Sequence, residues 1–265
     1  MRRLVVGLGV LVAVVGVGWL GVRGWLAWYG SASQDPAFFE DEIAAFEAAD
    51  REHPALERPI VFMGSSSIRL WSRLAEDMAP LPVLNRGFGG SQLAHVVHFT
   101  GRTVLRYRPR AVVLYAGDND LDESTGKSAA DVVRDFQAFV PLVHGAVPDA
   151  RIYYLAIKPS RMRWARWPEQ SKANAEIAAL CVQDPRLAFL DIATPMLATG
   201  TPPARELFRF DGLHLSERGY ALWTSVVKPR LLADFGEDLA SHAQAASRKA
   251  EPSRRAPAAC PCCHP

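Results

Sequence analysis

Cysteine is nearly absent from the body of this 265-residue chain. Three of the four cysteines, Cys260, Cys262 and Cys263, stand among the last six residues, and only Cys181 lies further inside. A disulfide bond therefore cannot close within the core, which excludes a small scaffold held together by disulfides.

An excess of charge of one sign is also missing. The formal net charge is +2, and basic residues close to the C-terminus, Arg248, Lys249, Arg254 and Arg255, more than account for it. The rest of the chain has no basic field that would hold phosphate groups, so we expect no nucleic-acid partner. With 49% hydrophobic and 22% charged residues, the composition is typical of a globular protein and excludes a wholly disordered chain.

Long apolar runs are absent except for one segment, Leu4 to Val22, which contains no charged residue. Two arginines precede this segment and several aromatic residues follow it. As a helix it would span about 28 Å, close to the hydrocarbon thickness of a bilayer. We predict that residues 1–30 are a membrane anchor that places the body outside the cytoplasm, on the periplasmic side in a Gram-negative cell. A cleaved signal peptide followed by secretion, and a buried core helix, are the alternative interpretations.

The other end of the chain, residues 237–265, is rich in Ala, Ser, Pro and Arg and has no apolar period. This composition predicts a disordered tail. Its last residues, Cys-Pro-Cys-Cys-His-Pro, include ligands that suit a soft metal. No second pair of ligands with zinc-finger spacing occurs elsewhere, so we favour an incidental tail and predict no metal site.

Between these ends, residues 31–236 contain five short apolar runs that alternate with helical patterns. Most of the runs are continuously apolar, as expected for strands that are covered on both faces. The alternation predicts one three-layer α/β/α domain with a mostly parallel, five-stranded sheet. The predicted strands are Ile60–Met63, Val83–Phe88, Ala111–Tyr115, Ile152–Ala156 and Ala188–Ile192.

Chemically useful residues follow these strands. Gly64-Ser65-Ser66-Ser67 comes after the first strand, a glycine turn after the second, Asn119 after the third, and Asp211 with His214 after the fifth. Sites in open parallel sheets form at the carboxyl ends of the strands. A serine, a glycine turn, an asparagine and an Asp/His pair at one edge are the parts of a serine hydrolase.

These residues resemble a known family. Phe-Met-Gly-Ser-Ser-Ser-Ile, Asn-x-Gly-x-Gly-Gly, Gly-Asp-Asn-Asp and Asp-x-x-His are similar to the four sequence blocks of the SGNH (GDSL-like) hydrolases, in the family's order. The resemblance covers roughly residues 55–232 and implies a flavodoxin-like fold and ester hydrolysis, a reaction that needs no metal or organic cofactor. By position it implies that Ser66 is the nucleophile, His214 the base and Asp211 its partner, with Gly90 and Asn119 as oxyanion-hole donors.

One position departs from the family pattern, because Ser65 stands where the family's Gly-Asp-Ser has its aspartate. Matching the preceding glycine selects Ser66 as the nucleophile, while Ser65 and Ser67 stay open as alternatives. The Gly-x-Ser-x-Gly elbow of the α/β-hydrolases is excluded, because Ile68 stands at its last position. Two other interpretations stay open: the serine run as a helix cap, and Asp211-x-x-His214 as a capping loop.

The loop after the fourth strand should overhang the same edge of the sheet. Lys158 and Arg161 suit an anionic group of a substrate, and Trp164 suits a sugar ring or an acyl chain. The alternative is a surface loop whose tryptophans cover the sheet edge.

The sequence thus predicts a serine esterase acting on a small acyl ester or an O-acylated envelope glycan. An acyltransferase on the same fold, and a non-catalytic module that binds a glycan or a protein, are the alternatives. The sequence leaves the oligomeric state open.

Overall fold

The computed structural model describes residues 34–53 and 56–250, and it describes side chains as far as residue 236. The segment predicted to be a membrane anchor or signal, residues 1–30, lies outside the described residues, as does the cysteine cluster at the C-terminus. Within the described ranges, no helix combines the length and the apolar composition needed to cross a bilayer.

The centre of the domain is a five-stranded sheet in which every pair of neighbouring strands is parallel. The strand order is β2-β1-β3-β4-β5. This confirms the predicted three-layer α/β fold, and the sheet is parallel throughout rather than mostly. The strands are β1 (Ile60–Gly64), β2 (Val83–Gly87), β3 (Ala111–Tyr115), β4 (Arg151–Leu155) and β5 (Leu187–Leu190).

The chain leaves β1 in one direction to form β2 and later returns to the other side of β1 to form β3. The strand order therefore reverses between β1 and β3. Such a switch point opens a crevice at the carboxyl ends of the two strands, where ligands of α/β proteins bind. Ser66 follows β1 and Asn119 follows β3, so both stand beside this crevice.

Helices cover both faces of the sheet. Two short helices lie between β1 and β2, and another short helix follows β5. The α-helices are α1 (Glu40–Glu52), α2 (Ser66–Arg69), α3 (Leu74–Met78), α4 (Leu93–Thr103), α5 (Ala129–Ala146), α6 (Trp167–Gln183), α7 (Ala193–Leu197) and α8 (Glu217–Ala250).

Alternate residues of each strand enter two separate apolar cores. Val61 and Met63 of β1 pack into the core that contains residues of α1, α4, α5 and α6. Ile60 and Phe62 pack into the core on the opposite face, with residues of α3 and α8. Because both faces are buried, the strands are continuously apolar, and each fully buried large side chain stabilises the fold by about 1.5–3 kcal/mol.

The last helix corrects the prediction of a disordered tail from residue 237. Helix α8 continues without a break from Glu217 to Ala250. The added segment contains no glycine or proline and several alanines, which favour a helix even without an apolar period. Residues 251–265 lie outside the described part of the chain.

Candidate active site

The turn after β1 depends on a glycine. Gly64 has φ +135°, and a Cβ at this position would lie 1.8 Å from the carbonyl oxygen of Tyr115 in β3. Only glycine permits both this backbone conformation and this close approach. The N–H of Ser65 then donates to that Tyr115 carbonyl at 3.0 Å. The chain therefore turns at the switch point and presents Ser66 as the first residue of α2.

Three polar side chains form a continuous hydrogen-bonded chain beside this turn. Nε2 of His214 lies 3.0 Å from Oγ of Ser66, and Nδ1 lies 2.6 Å from Oδ2 of Asp211. When Nδ1–H donates to the carboxylate, the other ring nitrogen is left to accept the serine proton. About a quarter of the His214 and Asp211 side-chain surface is exposed, so the chain opens to solvent.

The loop that carries this pair is a tight turn. Oδ1 of Asp211 accepts the N–H groups of Leu213 and His214, both at 2.9 Å. Burial raises the pKa of the Asp211 carboxyl, but the hydrogen bonds from the His214 ring and from these N–H groups outweigh it and leave the pKa below its ordinary value. Asp211 is therefore an anion at neutral pH and faces the imidazole as one.

The three serines of the predicted nucleophile run have different surroundings. Ser66 is partly exposed and faces His214. Ser65 is fully buried, and its hydroxyl has no hydrogen-bond partner among the described residues. Ser67 is also buried, and its Oγ accepts a hydrogen bond from Lys158 at 3.1 Å. Of the three, only Ser66 lies against the imidazole.

Two predicted donors lie in the turns that follow β2 and β3. Gly90 has φ +82° in the turn that precedes α4. Asn119 follows β3, and its Nδ2 donates to the carbonyl of Ser91, the neighbour of Gly90, at 3.0 Å. Since an amide nitrogen carries two hydrogens, one of them is not used by this bond.

Lys158 is buried and bonded within the protein, which corrects the prediction that it binds substrate. Its side chain is 1% exposed, and its ammonium group donates to Ser67 Oγ, to Tyr115 Oη at 2.9 Å and to Asp118 Oδ2 at 2.7 Å. An ammonium has three hydrogens, so no donor is left for an external anion. The chain after β4 runs inward beneath the serine turn before it reaches the surface.

The Lys158–Asp118 ion pair is a buried element that the sequence analysis missed. Burial raises the pKa of Asp118, but the positive charges of Lys158 and Arg163 outweigh it and bring the pKa to about 2. Burial lowers the pKa of Lys158, and the Asp118 carboxylate opposes that effect. The only sequence signal was the place of Asp118 directly before Asn119.

The remaining predicted substrate-binding residues lie in the loop between β4 and α6. Arg161 is exposed and donates to the carbonyl of Pro203 at 2.8 Å. Trp164 is partly buried and stacks on Trp167, with rings 6° from parallel and centroids 6.4 Å apart. The N–H of Met162 bonds to the carbonyl of Gly212, which brings this loop against the His214 loop. Their part in substrate binding stays a prediction.

In the described part of the chain, no cluster of three or more His, Cys, Asp or Glu side chains is arranged to hold a metal ion.

A family model described as "GDSL-like Lipase/Acylhydrolase family" matches residues 62–222. No curated protein matches the chain.

Among solved structures, a GDSL-like lipase from Bacteroides thetaiotaomicron is 18% identical, with a TM-score of 0.62, over 72% of this chain and 98% of the lipase. A lipase/acylhydrolase from Enterococcus faecalis is 19% identical, with a TM-score of 0.54, over 67% and 96%. A carbohydrate esterase family 3 protein from Talaromyces cellulolyticus is 16% identical, with a TM-score of 0.52, over 67% and 99%. At these identities the likeness shows a shared fold.

Proposed function

Since the chain belongs to the GDSL-like lipase/acylhydrolase family, we propose that it is a serine esterase in which Ser66, His214 and Asp211 act together. The observation that carries the proposal is the chain of hydrogen bonds from Ser66 Oγ through the imidazole to the Asp211 carboxylate. A free serine hydroxyl is a poor nucleophile at neutral pH, and a base at this distance removes that obstacle.

The first half of the reaction forms an acyl-enzyme. Ser66 Oγ attacks the ester carbonyl carbon while His214 Nε2 takes the hydroxyl proton, and the Asp211 carboxylate stabilises the imidazolium that results. The tetrahedral intermediate then collapses, the bond to the alcohol oxygen breaks, and the imidazolium gives its proton to that oxygen. The alcohol leaves, and Ser66 carries the acyl group.

Water completes the cycle by the same chemistry. His214 takes a proton from a water molecule as the water oxygen attacks the acyl carbon. The imidazolium then returns this proton to Ser66 Oγ when the bond from Oγ to the acyl carbon breaks and the acid departs. In both halves the negative oxygen of the intermediate needs donors that are already aimed at it. The N–H groups of Ser66 and Gly90 and the free Nδ2 hydrogen of Asn119 are the proposed donors, and losing one such donor costs about 3–4 kcal/mol of barrier.

For the substrate we propose a small acyl ester or an O-acylated glycan. Trp164 lies in the loop that contacts the His214 loop and stacks on Trp167 at the start of α6, and aromatic faces suit the apolar face of a sugar ring. The similarity to a carbohydrate esterase supports the same choice.

For the location we propose that residues 4–22 anchor the protein in a membrane, with the esterase domain outside the cytoplasm. The intact mass of the mature protein tests this proposal. A mass that includes residues 1–30 supports the anchor, whereas loss of that segment indicates a secreted, signal-cleaved protein.

Hydrolysis of p-nitrophenyl acetate and butyrate at pH 7–8 tests the esterase proposal. We expect turnover by the full chain and none by Ser66→Ala. Ser65→Ala is the matched control, because it removes a neighbouring hydroxyl that has no partner among the described residues. Loss of activity in Ser65→Ala, with activity retained in Ser66→Ala, would contradict the assignment of the nucleophile.

A further inference from the structure

The side-chain amide of Asn119 is held at both ends. Its Oδ1 accepts a hydrogen bond from Arg163 Nη1 at 3.0 Å, while its Nδ2 donates to the Ser91 carbonyl at 3.0 Å. These two bonds fix the plane of the amide. They also fix the direction in which the second Nδ2 hydrogen points.

Arg163 decides which end of the amide lies where. A guanidinium has only donors, so it can bind the amide oxygen but not the amide nitrogen. If the Asn119 amide turned over, Nδ2 would face Arg163, and Oδ1 would face the Ser91 carbonyl. Both contacts would then oppose like groups, which makes the turned state unfavourable.

Arg163 is itself held in place. Its Nε donates to Asp122 at 3.1 Å, its Nη1 lies 3.4 Å from Asp118, and its backbone N–H bonds to Ser160 Oγ at 3.2 Å. The side chain is only 14% exposed. With Nε and Nη1 committed to protein groups, Arg163 is poorly placed to bind an anion of the substrate, the role that the sequence predicts for Lys158 and Arg161 of the same loop.

We infer that Arg163 is a positioning residue, which aims the free Nδ2 hydrogen of Asn119 at the oxygen of the tetrahedral intermediate. This inference rests on the proposed esterase function. It adds a residue outside the four sequence motifs, and it assigns that residue an effect on the transition state rather than on substrate affinity.

The test is a double-mutant cycle in the full chain with p-nitrophenyl acetate. Arg163→Met keeps the aliphatic stem and removes the guanidinium. Removing such a donor lowers kcat ~100-fold, and a mis-aimed donor gives up much of that contribution. We therefore expect kcat to fall at least tenfold, while KM changes by less than about twofold. In the Asn119→Ala background the same substitution should change kcat by less than about twofold, because no donor remains to be aimed.

Arg166→Met is the matched control. Arg166 lies three residues further along, is similarly buried, and donates to the Leu121 carbonyl at 2.9 Å without contacting Asn119. We expect its kcat to stay within about twofold of the wild type. If Arg163→Met fails to fold, Arg163→Lys replaces it. That variant keeps a positive charge for Asp118 and Asp122, but a single ammonium cannot reproduce the fork that reaches Asn119.

The outcomes separate the two proposals. Two results would overturn the positioning role even if Ser66→Ala is inactive. One is an equal kcat for the Arg163 and Arg166 variants. The other is a double variant whose loss of kcat is the product of the losses in Arg163→Met and Asn119→Ala. Activity retained in Ser66→Ala would overturn the proposed function itself. A loss confined to kcat, and absent in the Asn119→Ala background, supports the inference.

Discussion

Two neighbouring serines join two polar networks that differ in their access to water. Ser66 faces outward to His214 and Asp211, whose side chains are about a quarter exposed. Ser67 faces inward to the ammonium of Lys158, which is almost fully buried and uses all three of its hydrogens within the protein. The outer network is open to solvent, whereas the inner network is closed off from it and leaves the lysine no free donor.

The difference teaches that burial, and not residue type, decides what a charged side chain does at this edge of the sheet. A lysine on a loop beside a reactive serine suggests substrate binding, but here it holds the strand ends together. Removing the outer network should therefore abolish turnover and spare the stability of the fold. Removing the inner network should lower the stability of the fold and have the smaller effect on turnover.

The largest expected effect comes from the outer network. His214→Ala removes the proposed base, and we expect kcat for p-nitrophenyl acetate to fall by about 10⁴-fold or more. Because the imidazole is partly exposed, the thermal unfolding midpoint should change little. Steady-state kinetics and a thermal melt on the same preparation check both halves, and a variant that unfolds early would remove the contrast between the networks.

The next largest effect comes from the inner network. Lys158→Met leaves Asp118 charged and buried without its closest partner, and we expect the free energy of unfolding to fall by about 3–5 kcal/mol. Denaturant titration measures this loss. Adding Asp118→Asn should restore part of the stability, because it removes the uncompensated charge. No recovery in the double variant would mean that the lysine stabilises the fold mainly by packing.

Two buried aspartates sharpen the comparison further. Asp118 has a pKa of about 2, because two cations outweigh its burial. Burial raises the pKa of Asp120 to about 6, because the single cation beside it, Lys127 at 3.5 Å, does not outweigh the burial. The unfolded value is near 3.8, so the native state holds the Asp120 proton more tightly, and this group lowers stability as the pH rises from about 4 to 6.

Replacing Asp120 tests that sign. Relative to the wild type, Asp120→Asn should gain stability across this pH window, by about 2–3 kcal/mol at neutral pH, less the cost of altering its bond from the Leu93 N–H. Asp118→Asn serves as the opposite case. Its carboxylate contributes stability above about pH 4 that is lost as the pH falls towards 2, so this variant should be the less stable one at neutral pH. Denaturant titrations at several pH values distinguish the two.

The smallest expected effect comes from Trp164, in the loop between β4 and α6. Trp164→Ala should raise KM for an O-acetylated glycan several-fold and leave kcat/KM for p-nitrophenyl acetate nearly unchanged, because the small ester has no sugar ring to pack on the tryptophan. Equal effects on both substrates would indicate that the tryptophan only covers the sheet edge.

The sequence predicts the sheet well and the inner network poorly, for physical reasons. Continuous apolar runs mark β1 and β3 because both faces of these strands are buried, and the residues after them follow from the parallel topology. The burial of Lys158 depends on the path of the chain after β4. The Arg163–Asn119 bond joins residues 44 positions apart. Neither depends on local periodicity. The continuation of α8 beyond residue 236 does not depend on an apolar period either, so the sequence pattern did not indicate it.

The pairing of Ser66 with His214 spans 148 positions of the chain. During synthesis, the turn that presents Ser66 emerges long before the loop that carries its proposed base, since that loop directly precedes the last helix. A nascent or truncated chain with a complete sheet would therefore hold Ser66 without its proposed base. Regain of esterase activity on refolding would report the docking of the His214 loop, a later event than the gain of secondary structure, and the two signals should separate in time.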